Sequence, residues 1–216
     1  MPNKVSDKVI GRLSLYRRML ERMGKPGNTA SNVFSHEIAA MTGNTAALVR
    51  RDLMTIGFAG SPKKGYSVSE LIQCIGEYLD APEGQKAVLV GVGNLGRALL
   101  GHFALRNPKL PIVAAFDTNT DLANRVIQGC RCYPVHEMGD FLQENEVRVG
   151  VITVPASAAQ EVADRLVKNG ITGIVNFAPV ALRVPKYVYI DNIDLTMSLE
   201  KAAFFARQHE KDKELV

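Results

Sequence analysis

The sequence predicts an α/β protein with an N-terminal winged helix-turn-helix domain, a Rossmann-type doubly wound parallel sheet and a closing helix. Three observations predict this fold. The N-terminal segment is cationic, two short helical patterns within it flank a glycine-containing turn, and the remaining chain alternates short apolar runs with helical patterns.

The net charge of +4 is divided unevenly along the chain. Residues 1–66 carry eleven Lys and Arg against four Asp and Glu, whereas residues 67–216 carry fifteen against eighteen. The first segment therefore has a formal charge of +7 and the remainder −3. This asymmetry indicates a polyanionic partner, with nucleic acid as the first candidate, although charge alone is equally consistent with a solvated basic surface.

Three helical patterns precede the predicted wing. Apolar residues recur at near-helical spacing from Ile10 to Met23, and a Gly-Lys-Pro-Gly breaker follows at 24–27. A second helix is bounded by Ser35 as its N-cap and Gly43 as its stop. A third helix occupies 44–57 and begins with small polar residues, so the last two helices form a helix-turn-helix.

The wing and the domain boundary follow directly. A Gly-Ser-Pro-Lys-Lys-Gly run between Phe58 and Tyr66-Ser-Val68 is typical of a hairpin. A helix is then predicted from Val68 to Leu79, and Pro and Gly within 80–85 mark a boundary. We expect three parts: a DNA-binding domain at 1–80, a Rossmann domain at 81–195, and a C-terminal helix at 196–216.

Strand and helix signals alternate beyond the boundary. Short apolar runs without polar alternation are typical of strands buried on both faces, and they occur at 87–92, 112–116, 149–154 and 173–177. Helices are predicted between them at 94–105, 137–144 and 157–169, with a last helix at Leu195–Arg207.

A glycine-rich turn joins the first strand to the first helix of this region. In Gly91-Val-Gly-Asn-Leu-Gly96, Gly91 permits the tight turn, Gly93 lets the backbone approach a pyrophosphate, and Gly96 lets helix pack on strand. The helix N-terminus offers N–H groups to phosphates. Asp117 ends the second strand, 21 residues after Gly96, where a carboxylate accepts from ribose hydroxyls and repels a 2′-phosphate. Because residues 118–120 include no cation, the sequence predicts NAD(H) rather than NADP(H) as cofactor.

Two later strand ends reach the same carboxyl edge, where ligands of doubly wound sheets bind. They are equally consistent with lining the nicotinamide half of the cleft and with ordinary turns. The predicted cofactor-binding residues are Gly91, Val92, Gly93, Asn94, Leu95, Gly96, Asp117, Thr153, Val154, Pro155, Asn176, Phe177, Ala178 and Pro179.

The three cysteines, Cys74, Cys130 and Cys132, do not fit a secreted disulfide framework. The Cys130-x-Cys132 pair has no Cys or His cluster beside it, so we expect no metal, and ordinary thiols are favoured over a redox pair. No apolar run approaches the ~20 residues of a membrane span, and no signal-peptide pattern opens the chain. These features predict a cytoplasmic protein without a membrane partner.

A dehydrogenase would need a substrate pocket and a proton donor or acceptor beside the nicotinamide. The Rossmann segment leaves little room for a substrate domain, and His102 is the one histidine predicted near the cofactor. We therefore predict no catalytic residue and interpret the nucleotide as a signal. The alternatives are a small NAD-dependent oxidoreductase with an interaction head, and a corepressor-like subunit that binds NAD(H) and protein but no DNA.

Over nearly its whole length, the chain resembles the Rex family of redox-sensing transcriptional repressors. The stretches that carry the resemblance occur in family order: Arg12-Leu-Ser-Leu-Tyr-Arg-Arg18, Val49-Arg-Arg-Asp-Leu53, Val90-Gly-Val-Gly-Asn-Leu-Gly-Arg-Ala-Leu99, Ile152-Thr-Val-Pro-Ala156, Ala159-Gln-Glu-Val-Ala163, Gly170–Pro179 and Asn192-Ile-Asp-Leu195.

The resemblance implies a homodimer whose final helix swaps onto the partner subunit and so covers Phe204 and Phe205. It also implies that NAD+ permits binding to a palindromic operator in double-stranded DNA, whereas NADH closes the two Rossmann domains and releases the DNA. Arg18 and Asp194 match a switch pair that forms a contact between subunits in one state only. The expected DNA-binding residues are Asn44, Thr45, Ala46, Arg50, Arg51, Lys63, Lys64, Gly65 and Tyr66.

The sequence departs from the family in three places. Arg51-Asp-Leu-Met-Thr-Ile-Gly57 replaces the usual Lys-Asp-Leu-Ser-Tyr-Phe-Gly, and Ser61-Pro-Lys-Lys-Gly-Tyr66 replaces Gly-Lys-Arg-Gly-Val-Gly-Tyr. His102 stands where a tyrosine is often found in the first Rossmann helix. These changes concern the operator sequence and the redox set-point and leave the class of activity intact.

Overall fold

A computed structural model gives the fold of residues 5–23, 31–103 and 109–214, with side chains in the last helix described as far as residue 208. The chain divides into two units, Met1–Pro82 and Glu83–Val216. The predicted breaker at 24–27 and the last two residues of the predicted helix at 94–105 lie outside the described residues.

The first unit is a small helical domain with a two-stranded antiparallel sheet. Its elements are α1 (Asp7–Met23), β1 (Asn32–Val33), α2 (Ser35–Thr42), α3 (Ala46–Thr55), β2 (Tyr66–Ser67) and α4 (Val68–Leu79). The buried faces follow helical periodicity, with Leu13, Tyr16 and Leu20 on α1 packing into one core with Leu71 and Ile75 of α4.

The ends of α2 agree with the prediction at Gly43 and depart from it at Ser35, and α3 is two residues shorter at each end than the predicted 44–57. Gly43 ends α2 with a φ of +65°, as expected. The prediction of Ser35 as N-cap is wrong, because Phe34 holds the cap position and Ser35 is the first helical residue. The Phe34 N–H donates to the Glu37 carboxylate at 2.7 Å, and the Glu37 N–H, which a capping serine oxygen would accept from, donates to the Phe34 carbonyl at 3.0 Å. Thr45 caps α3 by accepting from the Leu48 N–H.

The predicted wing is shorter than a regular hairpin. Its paired positions are Ser61 and Gly65, whose backbone N–H and carbonyl groups exchange hydrogen bonds of 2.9 and 2.8 Å. The strand pairing expected beside Phe58 is wrong, because Tyr66–Ser67 pairs with Asn32–Val33 and Val68 already begins α4. Only two residues on each strand pair, so sequence alternation carries little signal there.

The second unit contains a seven-stranded sheet in the order β5-β6-β4-β3-β7-β8-β9. Its elements are β3 (Ala87–Val90), α5 (Asn94–Phe103), β4 (Ile112–Asp117), β5 (Val126–Ile127), β6 (Cys130–Pro134), a 3₁₀ turn (Val135–Glu137), α6 (Met138–Asn145), β7 (Val149–Ile152), α7 (Ala156–Lys168), β8 (Gly173–Asn176), β9 (Tyr189–Asn192) and α8 (Leu195–Glu214). All neighbouring strands are parallel except β5 and β6.

The two faces of this sheet pack against different helices. Alternate residues of β3 divide between them, with Val88 and Val90 in the cluster formed with α6 and α7, and Leu89 in the cluster that contains Leu100 of α5. Helices on both faces of a mostly parallel sheet define a doubly wound Rossmann-type fold. The four predicted strands are present, each ending within two residues of the predicted end.

Three strands of the seven-stranded sheet were not predicted. β5 has two residues, and β9, at the opposite edge, is largely exposed and carries Tyr, Ile, Asp and Asn. Neither has the apolar run that identifies a buried strand. β6 contains the two cysteines and alternates buried with exposed side chains, whereas the prediction looked for continuous apolar runs.

A buried ion pair connects α1 to α3 in the first unit. Asp52 is 1% exposed, and its carboxylate accepts from Arg12 Nε and Nη2 at 2.6 and 2.7 Å. Tyr16 Oη donates to the same carboxylate at 2.9 Å. Burial is the larger cause, and the hydrogen bond to Asp52 the smaller one, that raises the pKa of Tyr16 above its ordinary value of 10.0. The phenol is therefore neutral in the folded protein. The hydrogen bond to Asp52 likewise raises the pKa of Arg12 above its ordinary value.

We predict that Asp52→Asn lowers the free energy of unfolding of the first unit by about 2 kcal/mol, because it removes the charged acceptor of the Arg12 hydrogen bonds in a mostly desolvated site. Hydrogen exchange of amides in α1 and α3 in the full chain measures this change. The matched control is Glu21→Gln, which removes an exposed carboxylate from α1. Equal exchange rates in both variants would show that the ion pair does not stabilise this unit.

Candidate functional site

The carboxyl ends of β4, β3 and β7 form the floor of the candidate nucleotide site. The order of the strands reverses at β3, because the chain passes from β3 to β4 on one side and later returns to β7 on the other side. The Gly91 N–H donates to the Phe116 carbonyl at 2.8 Å, and the Thr153 N–H donates to the Val90 carbonyl at 2.9 Å. These bonds hold three loops at the topological switch point, where ligands of this fold class bind.

The three fingerprint glycines have different environments. Gly91 has a φ of +100°, and a Cβ there would lie 2.7 Å from the Thr153 carbonyl oxygen. A Cβ on Gly96 would overlap the Gly91 carbonyl oxygen, so any side chain would push α5 away from β3. Gly93 has no atom within 4 Å of its Cβ position and leaves open space above the loop. That opening suits a pyrophosphate lying against bare backbone.

The start of α5 supplies hydrogen-bond donors beside this opening. The helix begins at Asn94, and the Arg97 N–H donates to the Gly93 carbonyl at 3.0 Å. The preceding N–H groups, those of Asn94, Leu95 and Gly96, have no intrahelical acceptor and carry the positive end of the helix dipole. Sequence reasoning missed Arg97 as a site residue, although its Nε donates to the Val92 carbonyl at 3.1 Å and braces the loop.

Asp117 is positioned by the loop that it was predicted to complement. Its Oδ2 accepts from the Val92 N–H at 2.6 Å, and its Oδ1 accepts from the Asn119 N–H at 2.8 Å. A carboxylate has about four acceptor sites, so both oxygens can accept further bonds. The structure thus brings the acidic residue and the glycine loop together, as the sequence predicted from their spacing.

The side chains of Thr153 and Asn176, two of the later predicted site residues, form hydrogen bonds that support the loops. Thr153 Oγ1 donates to the Gly91 carbonyl at 2.7 Å. Asn176 is 1% exposed, and its amide nitrogen donates to the Val180 carbonyl and to Asn192 Oδ1, each at 2.9 Å. The Asn176 side chain is therefore occupied by bonds within the protein, and this residue would contact a ligand through its backbone.

The remaining members of that predicted set lie in two loops of the same edge. The Phe177 N–H donates to the Ile152 carbonyl at 2.9 Å, so the end of β8 is attached to the end of β7. Pro155 and Pro179 are exposed, Val154 and Phe177 are half-buried, and Ala178 is buried.

The candidate DNA-facing surface is the exposed face of α3. Its five exposed residues are Ala47, Arg50, Arg51, Met54 and Thr55, which together line a shallow depression. Arg50 Nη1 donates to Ser35 Oγ at 3.0 Å, so α2 orients this guanidinium. The one acidic residue of α3, Asp52, is buried against Arg12. The exposed face therefore carries positive charge alone.

The turn and the wing contribute unequally to this surface. Lys63 and Lys64 are exposed at the tip of the wing, and Gly65, with a φ of +72°, closes it. Tyr66, predicted as a DNA-binding residue, is instead a core residue, 8% exposed, with its ring 6.1 Å from that of Phe58. Its aromatic ring supports the wing from below, because the period-2 alternation of β2 turns it inward.

In the turn before α3, side chains serve the local backbone. Asn44 Nδ2 donates to the Thr42 carbonyl at 3.1 Å, and Thr45 is occupied as the α3 cap. Ala46 is half-buried and packs against the core of the first unit.

The two predicted switch residues lie in different units, and each has a defined environment. Arg18 is exposed on α1. Asp194 precedes α8, where its Oδ1 accepts from the Met197 N–H at 2.8 Å and so caps the helix. Its second oxygen leaves acceptor sites for another partner.

The thiols of β6 are protected from reaction. Cys130 and Cys132 are buried, and desolvation raises the pKa of Cys130 to about 11, so this thiol stays protonated at neutral pH. Among the described residues, no group of three or more His, Cys, Asp or Glu is arranged to hold a metal. Within the same part of the chain, no helix is long and apolar enough to cross a bilayer.

These features define a class: a winged-helix domain joined to a Rossmann-type domain with the glycine loop of dinucleotide-binding folds. Family models agree with both halves, since residues 4–53 match a putative DNA-binding protein N-terminus and residues 83–180 match a CoA binding domain. The redox-sensing transcriptional repressor Rex of Pelotomaculum thermopropionicum is 42% identical over 207 residues, 96% of each chain. That of Carboxydothermus hydrogenoformans is 39% identical and covers 95% of this chain and 98% of its own.

The chain belongs to the Rex family of redox-sensing transcriptional repressors. A crystal structure of RSP, a Rex-family repressor, with NAD+ and operator DNA is similar at a TM-score of 0.86 and 32% identity, covering 98% of this chain and 96% of RSP. RSP with NADH gives a TM-score of 0.84 and covers 99% of this chain and 100% of RSP.

We predict that Asp117→Asn narrows the preference for NADH over NADPH about tenfold, because it removes the charge that repels a 2′-phosphate. Asparagine keeps one carbonyl oxygen for the Val92 N–H, so the glycine loop retains its support. Isothermal titration with both coenzymes measures the ratio of their dissociation constants. The control is Asp121→Asn, an exposed carboxylate in the loop after β4. An unchanged ratio in Asp117→Asn would place this carboxylate outside the ribose site.

Proposed function

We propose that this protein is a transcriptional repressor that holds operator DNA through its winged-helix unit and releases the DNA when NADH occupies its Rossmann unit. The observation that carries the proposal is the pairing, in one chain, of a purely cationic recognition-helix face with a glycine loop open above Gly93. NAD+ permits DNA binding, and the nucleotide is a signal rather than a substrate, so no residue is assigned a catalytic role.

The residues at the switch point fit a dinucleotide. The first-turn N–H groups of α5 donate to the pyrophosphate across the space above Gly93, and Asp117 accepts from the hydroxyls of the adenine ribose. The loops after β7 and β8, at 153–155 and 176–179, line the nicotinamide half. When bound, the coenzyme supplies the redox signal, because the oxidised nicotinamide ring is positively charged and the reduced ring is neutral.

Release of DNA requires that NADH binds the non-binding arrangement of the protein more tightly than the DNA-binding arrangement. A ligand with equal affinity for both arrangements would shift nothing. A tenfold loss of DNA affinity needs about 1.4 kcal/mol of differential binding. Arg18 and Asp194 are the proposed switch, forming a contact between subunits in one arrangement and losing it in the other.

The winged-helix unit engages double-stranded DNA with α3 in the major groove. Arg50 and Arg51 contact phosphates or guanine edges, and Lys63 and Lys64 of the wing contact the adjacent backbone. Asn44, Thr45 and Ala46 place the α3 N-terminus against the duplex. Two copies in a homodimer read the two halves of a palindromic operator.

The function is tested by fluorescence anisotropy with a duplex selected by the protein from a random pool. We expect saturating NADH to weaken DNA binding at least tenfold, whereas NAD+ leaves binding intact. Undiminished DNA affinity at saturating NADH would falsify the proposal.

Variants separate the parts of this function within the same experiment. Arg50→Ala and Arg51→Ala are expected to lose DNA affinity and keep NADH affinity. Arg18→Ala is expected to reduce the ratio of DNA dissociation constants measured with and without NADH and, by linkage, to shift the apparent NADH affinity as well. If either recognition-helix variant lowered both affinities equally, the division of labour between the two units would be wrong.

The last helix supports the proposed dimer. α8 exposes a set of large apolar side chains, among them Leu199 at 72% and Phe205 at 62%. Exposed apolar groups of this size on one helix are typical of a surface that is buried on assembly. We assign the occupant as a second copy of the chain, with α8 swapped onto the Rossmann unit of the partner.

We predict that Phe204→Ser with Phe205→Ser converts the dimer to a monomer, because it removes two aromatic anchors from the interface. Sedimentation velocity measures the mass in solution. The control is Lys201→Ser, an exposed residue of the same helix. A dimer of unchanged stability in the double variant would place the interface elsewhere.

A further inference from the structure

An exposed methionine lies in the middle of the proposed DNA-reading face. Met54 is 73% exposed, whereas the other exposed large apolar residues described in the first unit, Ile10, Met41 and Tyr78, lie between 38% and 41%. A side chain that projects this far contributes nothing to the core of its own unit. Its thioether and terminal methyl are free to bury against a partner of α3.

The charges around Met54 indicate which kind of partner α3 contacts. Arg50 and Arg51 precede it by four and three positions, so all three side chains share one side of the helix. No carboxylate is exposed on α3, which favours a polyanion and disfavours a basic protein surface. The partner is therefore duplex DNA, and this inference rests on the proposed function.

Apart from the two arginines, the exposed residues of α3 offer mainly apolar contact. Thr55 Oγ1 donates to the Arg51 carbonyl at 3.0 Å, so its hydroxyl proton is committed to the helix. Ala47 offers only a methyl group. The face therefore combines two guanidinium groups with a central apolar strip formed by Ala47, Met54 and Thr55.

In the major groove, the one apolar group that a base pair presents is the C5-methyl of thymine. We propose that Met54 is a specificity-determining residue that reads thymine by packing its thioether chain against this methyl group. Met54 lies about one helical turn, 5.4 Å, from each arginine, so the thymine lies within about two base steps of the arginine contacts. Methionine has the reach for this contact that alanine lacks, since three rotatable bonds carry its methyl outward.

The test removes one methyl from the DNA and the matching group from the protein. The probe is a duplex selected by the unmodified protein from a random pool, in which each thymine is replaced in turn by deoxyuridine. This replacement preserves base pairing and deletes only the C5-methyl group. Dissociation constants are measured by fluorescence anisotropy at one fixed salt concentration, because phosphate contacts make affinity strongly dependent on salt.

We expect one thymine per half-site at which deoxyuridine weakens binding about fourfold, the factor that corresponds to about 0.8 kcal/mol for one buried methyl-sized group. In Met54→Ala, the same replacement has no effect, because no side chain reaches the methyl. Met54→Leu keeps an apolar chain of similar volume and restores the sensitivity. Met41→Ala, which removes an exposed methionine from α2, keeps the pattern of the unmodified protein.

Three outcomes overturn the inference. If the protein binds the duplex but no thymine has a methyl effect that depends on residue 54, the inference fails and the proposed function stands. Equal weakening of all duplexes by Met54→Ala, with the deoxyuridine pattern unchanged, assigns Met54 a general contact without specificity. If no selected duplex binds the unmodified protein, the proposed function fails and the inference fails with it.

Discussion

The buried carboxylate of Asp52 determines both the position of α3 and the charge of its exposed face. It follows Arg50 and Arg51 directly in sequence, yet the helix turns it inward, where Arg12 and Tyr16 of α1 bind it. An exposed carboxylate at this point would repel phosphate beside the two arginines. Burial removes that repulsion and converts the charge into a connection between two helices. The structural and electrostatic requirements of the proposed DNA surface thus meet in one side chain.

The Rossmann unit is organised around backbone rather than side-chain contacts. Bonds from Gly91 to Phe116 and from Thr153 to Val90 join the ends of three neighbouring strands, and Asp117 holds the Val92 N–H between them. Because these loops support one another, the absence of a side chain at Gly93 leaves an opening instead of a disordered turn. A site built in this way presents donors to an anion with little reorganisation.

Much of the fold was predictable from local patterns, and the failures have identifiable causes. Four strands of the sheet were predicted because buried parallel strands are continuous apolar runs. The glycine fingerprint and its spacing to Asp117 then located the switch point. β9 and β5 escaped prediction because edge strands lack that run. Tyr66 was misplaced because an aromatic beside a basic wing has the same sequence signal whether it faces DNA or the core.

By itself, the sequence determined the division of charge, the order of helices and strands, the glycine turn and the family, since these depend on composition and on residues close together in the chain. Only the tertiary structure decided that Asp52 is withdrawn from the recognition face, that Arg97 braces the glycine loop, that Asn176 is consumed internally, and that Met54 projects outward between cationic neighbours. Each of these depends on which side of an element faces the core. That choice is made by contacts between residues distant in sequence, such as Arg12 with Asp52, which no local pattern specifies.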